Sequence, residues 1–393
     1  MINITRLYCG LEAPGDALRY EREGAERKPI VVWNVTRRCN LNCVHCYADS
    51  GNEYYAGELS FGEAQTMIRD LAEFGVPVVL FSGGEPLLRD DVYEHAALAK
   101  ELGVRPVVST NGTLITDLVA HRIKESGVAY VGISLDGIGE RNDFFRGKKD
   151  AFEAAMRGFD NCADVGLKVG LRFTLTRYNY DDLSGIFDFI EEHGVSRACF
   201  YHLVYAGRGS TMEKDDLTLE ESRQAVDLII DRTAEFHQRG LEIEVLTVDN
   251  HCDGPYLYMR MVREGSPRAE EALQLLKRNG GNQSGIAIAN VDNEGNVHAD
   301  QFWWHHSFGS VRERKFGDIW MDTSDPLMAG LKNRRPLLTG RCAECKWLDA
   351  CNGNFRVRAE TVHGDVWAPD PACYLTDEEI TWNTEDTEEK TFL

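Results

Sequence analysis

The stretch "CNLNCVHC" places three thiols at Cys39, Cys43 and Cys46, a C-x3-C-x2-C spacing. Three thiolates can hold a metal or an iron-sulfur cube and leave one coordination position open, and an open position is where chemistry takes place. A second group, Cys342, Cys345, Cys351 and Cys373, is spaced C-x2-C-x5-C-x21-C. Four thiolates with no vacancy suggest a closed site, for which zinc and an iron-sulfur cluster are both good readings. The chain has 11 cysteines, an odd number, and seven fall in these two groups, which suits metal ligation in a reducing compartment better than a disulfide framework. Of the remainder, Cys9, Cys162 and Cys199 read as buried thiols, whereas Cys252 in "TVDNHCDG" lies among polar residues and is a candidate to face a site.

These thiols need a scaffold. Runs rich in β-branched residues, "PIVVWNV", "VPVVLFSGG", "VRPVVSTNG", "VAYVGISLDG", "KVGLRFTLTR" and "SRACFYHLVY", alternate with amphipathic helical stretches, several closed by glycine. Repeated βα units around a parallel sheet follow. Polar residues succeed each strand: the first cysteine group, then "SGGEP", "STNGT", "SLDG", "TRYN" and "YAGRGS". Loops at the carboxyl ends of barrel strands converge on one mouth, so the expected fold is α/β, a partial (β/α)6 TIM-like barrel with a smaller cysteine-rich C-terminal domain. Residues 1–29 read as an N-terminal extension, 30–240 as the barrel, 241–380 as the second domain and 381–393 as an acidic tail. In the second domain "GIAIANVDNEGNVHADQF" reads as a β-hairpin around Asn-Glu-Gly.

The balance of 64 acidic against 43 basic residues, a net charge of -21, argues against nucleic acid or an anionic membrane as partner. Neither a signal peptide nor a membrane-spanning run is visible, and the protein is expected in the cytoplasm.

"CNLNCVHC" directly after the first strand, with "SGGEP" after the second and then "STNG" and "SLDG", resembles the radical S-adenosylmethionine enzymes over roughly residues 30 to 210. The resemblance implies that Cys39, Cys43 and Cys46 bind a 4Fe-4S cluster whose fourth iron takes S-adenosylmethionine, and that a 5'-deoxyadenosyl radical forms there. It gives cofactor contacts to His45, where the family usually has an aromatic, and to Gly83, Gly84, Glu85, Asn111, Ser134, Asp136 and Arg172. Gly83 and Gly84 would leave room for backbone beside the cofactor, and Glu85 would accept from its ammonium group. "CAECKWLDACNGN" with Cys373 resembles the SPASM or twitch extension, which carries an auxiliary 4Fe-4S cluster; with Asp300 where the full extension has a cysteine, a third cluster is not expected.

Across nearly the whole chain, stretches such as "ITRLYCGLEAPGDALRY", "FYHLVYAGRGS" and "LTVDNHCDG" resemble the branch of that family that modifies iron tetrapyrroles. The group that takes acetate side chains off didecarboxysiroheme is the nearest match, and haem d1 and haem b synthesis are the neighbouring activities. That implies an iron tetrapyrrole substrate and an electron donor such as flavodoxin or ferredoxin. A carboxylate-fringed macrocycle needs cations in an acidic protein, and the candidates are Arg141, Arg146, Arg177, Arg208, Arg356 and Arg358. An axial imidazole for the substrate iron is sought among His202, His251, His298, His305 and His306, with His251 and His298 preferred for their polar contexts, and the tryptophans of "QFWWHHSF" offer a wall for a flat ring. The competing readings are a peptide-modifying SPASM maturase and a zinc-stabilised binding protein.

Overall fold

The computed structural model describes residues 1–20 and 27–382. Ten strands form one sheet: β1 (Ile2–Asn3), β2 (Ile30–Asn34), β3 (Val78–Ser82), β4 (Arg105–Thr110), β5 (Val131–Ser134), β6 (Val169–Leu175), β7 (Arg197–His202), β8 (Glu244–Val248), β9 (Ile288–Val291) and β10 (Val297–His298). Their spatial order is β1-β8-β7-β6-β5-β4-β3-β2-β9-β10, and the sheet does not close on itself. From β8 through β2 to β9 every neighbouring pair is parallel, with antiparallel β1 and β10 at the two edges. The six strands expected from sequence are β2 to β7, and the fold is an open, partial barrel. No helix among the described residues is long and apolar enough to cross a membrane.

The helices between residues 61 and 279 are α1 (Phe61–Phe74), α2 (Val92–Glu101), α3 (Asp117–Glu125), α4 (Glu140–Arg146), α5 (Ala151–Asp164), α6 (Leu183–Glu192), α7 (Leu219–Gln238), α8 (Asp253–Arg263) and α9 (Ala269–Asn279), with shorter ones before and after. Local sequence dictates their limits. In α1 the Ser60 hydroxyl accepts from the Glu63 amide while Glu63 accepts from the Ser60 amide, and Gly75 closes the helix at φ +89°. Thr218 and Glu221 repeat that reciprocal cap at α7. Strands and helices bury one continuous core, in which Trp33 packs on Phe81 at 5.6 Å between ring centroids.

Two expected boundaries do not match the sheet. β8 begins after residue 240 yet pairs in parallel with β7, and β9 pairs in parallel with β2. The cysteine-rich part is therefore bonded into the barrel sheet at both flanks. The N-terminal extension likewise contributes β1, paired to β8. The hairpin is present as β9 and β10, whose register sets Val297 opposite Val291. Of the acidic tail, residues 383–393 lie outside the described residues, and the short helix Asp377–Thr381 precedes them.

Candidate active site

The loop after β2 carries Cys39, Cys43 and Cys46 into one cavity, walled also by His45, Gly83, Gly84, Asn111, Ser134, Arg146 and Arg172. Neighbouring strand ends hold that loop. The Cys39 amide donates to the Gly51 carbonyl at 2.8 Å, and the Asn111 side chain donates to Asn40 Oδ1 at 2.9 Å. At the end of α4, the Arg146 and Phe145 carbonyls accept from the Asn42 and Val44 amides at 3.1 and 3.0 Å. The glycines of "SGGEP" serve this packing directly. A Cβ on Gly83 would stand 2.3 Å from the Thr36 carbonyl oxygen, and one on Gly84 2.3 Å from that of Arg38. Gly84 and Glu85 instead donate their amides to those same two oxygens at 2.8 and 2.9 Å. The glycines thus let two active-site loops touch, as well as lining the cavity.

A buried charge cluster lies behind the thiols. Arg146 forms an ion pair with Asp136 Oδ2 at 2.6 Å and donates to Cys43 Sγ at 3.6 Å, and His45 Nε2 sits 3.3 Å from the same carboxylate oxygen. Burial holds the His45 imidazole below its usual range, and its Nδ1 is buried without a hydrogen-bond partner. Asp136 is not a cavity wall; its other oxygen accepts from the Thr174 amide at 3.0 Å. Glu85 is also set back from the cavity. Its carboxylate accepts from the Thr110 hydroxyl and from the Asn111 and Leu87 amides, and burial pushes its pKa up to about 7. Both acids therefore tie strand ends together. Arg172 faces the cavity with its guanidinium 4.7 Å from the Tyr201 ring centroid.

Among the arginines and histidines considered for substrate, Arg146 and His202 line this cavity and the others do not. Arg208 braces the thiol loop, donating to the Cys43 and Ser50 carbonyls at 2.8 Å each. Arg177 is half exposed beside Glu221, and Arg141 binds the Tyr178 carbonyl and Asp182. Arg356 is buried and spent on the backbone carbonyls of Val366, Ala368 and Gly353, and Arg358 on Asp370. Both preferred histidines are committed elsewhere. His298 contacts Asp292 and the His306 carbonyl with its two ring nitrogens, while His251 stacks on Phe355 at 5.8 Å and contacts the Met1 amine. His305 and His306 pair with Glu360 and Asp325. His202 Nε2 meets Asp253 at 3.0 Å, and Asp253 also accepts from the Tyr374 hydroxyl at 2.8 Å.

Cavity walls that sequence reasoning did not single out include Tyr47, Tyr201, Asp249, Gln301 and Phe302, whereas Trp303 and Trp304, expected as a wall for a flat ring, do not line the cavity. Tyr47 and Tyr201 sit beside residues that were named, so the polar-after-strand pattern pointed to their neighbourhood. Gln301 and Phe302 come from beyond β10, and only the pairing of β9 with β2 carries them to the mouth. Asp249 follows β8 at φ +68°, and burial raises its pKa to about 6.

Cys342, Cys345, Cys351 and Cys373 line a second cavity, and Cys252 is a fifth thiol in its wall. Cys252 Sγ donates to Asn250 Oδ1 at 3.0 Å, and the Cys373 thiol is held below its usual range, first by a hydrogen bond with Cys252. Burial raises the other three. None of the 11 cysteines is joined in a disulfide. Among the described residues no three His, Cys, Asp or Glu side chains gather tightly enough to hold a single metal ion. The first cavity is lined by three thiols and the second by five.

The Radical SAM superfamily model matches residues 33–190. Fe-coproporphyrin III synthase of Methanosarcina barkeri is 60% identical over 97% of this chain and 99% of its own length. The chain belongs to the radical SAM superfamily. Pre-heme d1 synthase of Dinoroseobacter shibae is 43% identical over 89% of this chain and 87% of its own. Among solved structures, SuiB of Streptococcus suis bound to S-adenosylmethionine superposes with a TM-score of 0.70 at 19% identity, covering 89% of this chain and 78% of that one. The protein is thus a radical SAM enzyme, with S-adenosylmethionine and a 4Fe-4S cluster as its cofactors.

Proposed function

We propose that this enzyme removes two acetate side chains from 12,18-didecarboxysiroheme to give Fe-coproporphyrin III, a step of haem synthesis by the siroheme route. The observation that carries this reading is the 60% identity to an Fe-coproporphyrin III synthase along 97% of the chain. Identity falls to 43% with a pre-heme d1 synthase and 32% with an AdoMet-dependent heme synthase, which makes removal of other tetrapyrrole side chains the second reading.

Cys39, Cys43 and Cys46 would hold the cluster that binds S-adenosylmethionine, and Cys342, Cys345, Cys351 and Cys373 the auxiliary one. When bound, the first group supplies reductive cleavage of the sulfonium and with it a hydrogen-abstracting radical. The protein's own part is placement. Gly83, Gly84, Asn111 and Ser134 offer backbone and small polar groups beside the thiols, and Arg172 offers a cation to a carboxylate. Tyr47, Tyr201 and Phe302 give the cavity aromatic faces suited to a flat macrocycle. His202, backed by Asp253, puts on that wall an imidazole able to exchange a proton with substrate.

The reductant would be a small electron-carrier protein of flavodoxin or ferredoxin type, and cysteines not joined in disulfides suit the cytoplasm. Protein with both clusters, given reductant, S-adenosylmethionine and each candidate iron tetrapyrrole, should convert didecarboxysiroheme by loss of two acetate groups, identified by mass. Turnover of a different tetrapyrrole alone would assign the second reading. Formation of 5'-deoxyadenosine in a Cys39→Ala/Cys43→Ala/Cys46→Ala variant would overturn the cluster assignment.

A further inference from the structure

Asp249 is the one acid that walls the first cavity, and its carboxyl group has no structural task. It follows β8 at φ +68°, a conformation few side chains adopt, and is only 7% exposed. A buried carboxylate ordinarily collects donors. Glu85 accepts from the Thr110 hydroxyl and from the Asn111 and Leu87 amides, and Asp136 has Arg146 and the Thr174 amide. Among the described residues no amide, hydroxyl or cation reaches the side-chain oxygens of Asp249 at hydrogen-bond distance. Its backbone carbonyl alone is bound, by Arg358 at 2.7 Å.

The charges around Asp249 stop short of pairing with it. Arg172, on β6, lies over the Tyr201 ring of β7, and Arg358 is held by Asp370. The Met1 amine contacts His251 at 3.1 Å, and Asp300 accepts from the Ser284 hydroxyl and the Phe302 amide. With water excluded and no counter-charge in contact, burial dominates and raises the Asp249 pKa to about 6, so the group carries a proton where an ordinary Asp has none to give.

His202 is arranged in the opposite sense. Its Nε2 faces Asp253 at 3.0 Å, and Asp253 already accepts from the Tyr374 hydroxyl, so Nε2 is the donor and Nδ1 of the neutral ring is left as an acceptor. The β7–β8 register sets Tyr201 opposite Val248, which puts His202 and Asp249 at the same level of the rim. An acceptor and a free acid thus stand side by side on one wall. The thiols and the "SGGEP" glycines come from the ends of β2 and β3, so this wall, on β7 and β8, is left to the substrate.

We propose that Asp249 is the general acid of acetate loss, donating its proton to the methylene carbon of the departing side chain. The inference rests on the acetate removal proposed above. A hydrogen atom leaves the macrocycle to the deoxyadenosyl radical. The bond from ring carbon to methylene then breaks with one electron retained in a new ring double bond and the other carried off on a two-carbon fragment, ·CH2COO−. The fragment takes one electron from a one-electron reductant and the proton of Asp249: the O–H bond breaks, a C–H bond forms and acetate results. Solvent returns the proton to Asp249.

The test runs the intact enzyme in D2O with reductant, S-adenosylmethionine and didecarboxysiroheme, and reads acetate and 5'-deoxyadenosine by mass. Wild type should release acetate with one deuterium in its methyl group. Asp249→Asn keeps shape and tolerates the left-handed backbone, so iron content and unfolding midpoint should match wild type. In that variant acetate release should fall about 100-fold while 5'-deoxyadenosine still forms, uncoupling the two. The wild-type acetate rate should decline as pH rises through about 6, where Asp249 loses its proton, and the variant should lack that limb. Acetate free of solvent deuterium in wild type, or a variant with the wild-type ratio of acetate to 5'-deoxyadenosine, would overturn the assignment. Equal loss of both products would also overturn it, making Asp249 a binding residue. Failure of wild type to convert didecarboxysiroheme at all would refute the substrate reading and this inference with it, and it shows before any variant is compared.

Discussion

The guanidinium of Arg146 lies 3.6 Å from the sulfur of Cys43 and 2.6 Å from Asp136 Oδ2, with the arginine side chain only 8% exposed. A buried cation that donates to a cluster-ligating sulfur favours the more negative, reduced state of whatever that sulfur binds. Replacing Arg146 by Met should therefore lower the reduction midpoint of the first cluster. One charge-assisted hydrogen bond of about 2 kcal/mol corresponds to a shift on the order of 90 mV for one electron. Spectroscopic redox titration of the variant measures it, and an unchanged or raised midpoint would contradict the assignment.

Cys252 calls for a different outcome from its four neighbours. Four thiolates suffice for a closed cluster, and Cys252, in the same cavity wall, donates its S–H to Asn250 Oδ1. In Cys252→Ala the iron content should stay near about eight per chain, with an altered auxiliary midpoint, whereas Cys373→Ala should lose iron. Loss of about four irons in the Cys252 variant would make it a ligand.

Gly207 sits at φ +54°, and a Cβ there would stand 2.3 Å from the Tyr47 carbonyl oxygen and 2.5 Å from that of Cys46. Gly207→Ala must push the thiol loop away, at a cost of about 1–3 kcal/mol. The expected signature is poor iron retention at the first site, with the auxiliary cluster and the cooperative unfolding of the fold preserved. Full iron content in this variant would show that the loop can shift freely.

Asp300 gives a pH test. Burial raises its pKa to about 6 from 3.8, although it accepts from the Ser284 hydroxyl and the Phe302 amide. A carboxyl raised in the folded state contributes stability that is complete below the unfolded value and lost as pH rises through the folded one. Wild type should lose about 3 kcal/mol between roughly pH 4 and 6 from this group. Asp300→Asn keeps the shape and both contacts, so its stability relative to wild type should rise over that window. Denaturant midpoints of the metal-free proteins at pH 4 and 7 decide it; a difference independent of pH would clear Asp300 of any part.

What could be read from the sequence depended on how local the signal was. The strands β2 to β7 and the thiols Cys39, Cys43 and Cys46 declare themselves through short-range pattern and spacing, and so does the hairpin of β9 and β10. The fate of long polar side chains does not. Arg208, Arg356 and His298 carry the right chemistry for a substrate contact, yet each is consumed by carbonyls or carboxylates that only the folded chain brings near. Gln301 and Phe302 show the converse, being placed at the mouth by a strand pairing that no nearby residues encode. The glycines of "SGGEP" were recognised for the right conformational reason, but the group that occupies their missing side-chain space is the Thr36 and Arg38 backbone.

The flanking strands β1 and β10, two residues each, have one further effect. A parallel sheet that ended at β8 or β9 would expose an unpaired ladder able to recruit another molecule, and a brief antiparallel segment at each margin leaves little length on which a stranger can zip. Deleting Ile2 and Asn3 should accordingly be felt as concentration-dependent clumping of otherwise intact enzyme, sooner than as a loss of its chemistry.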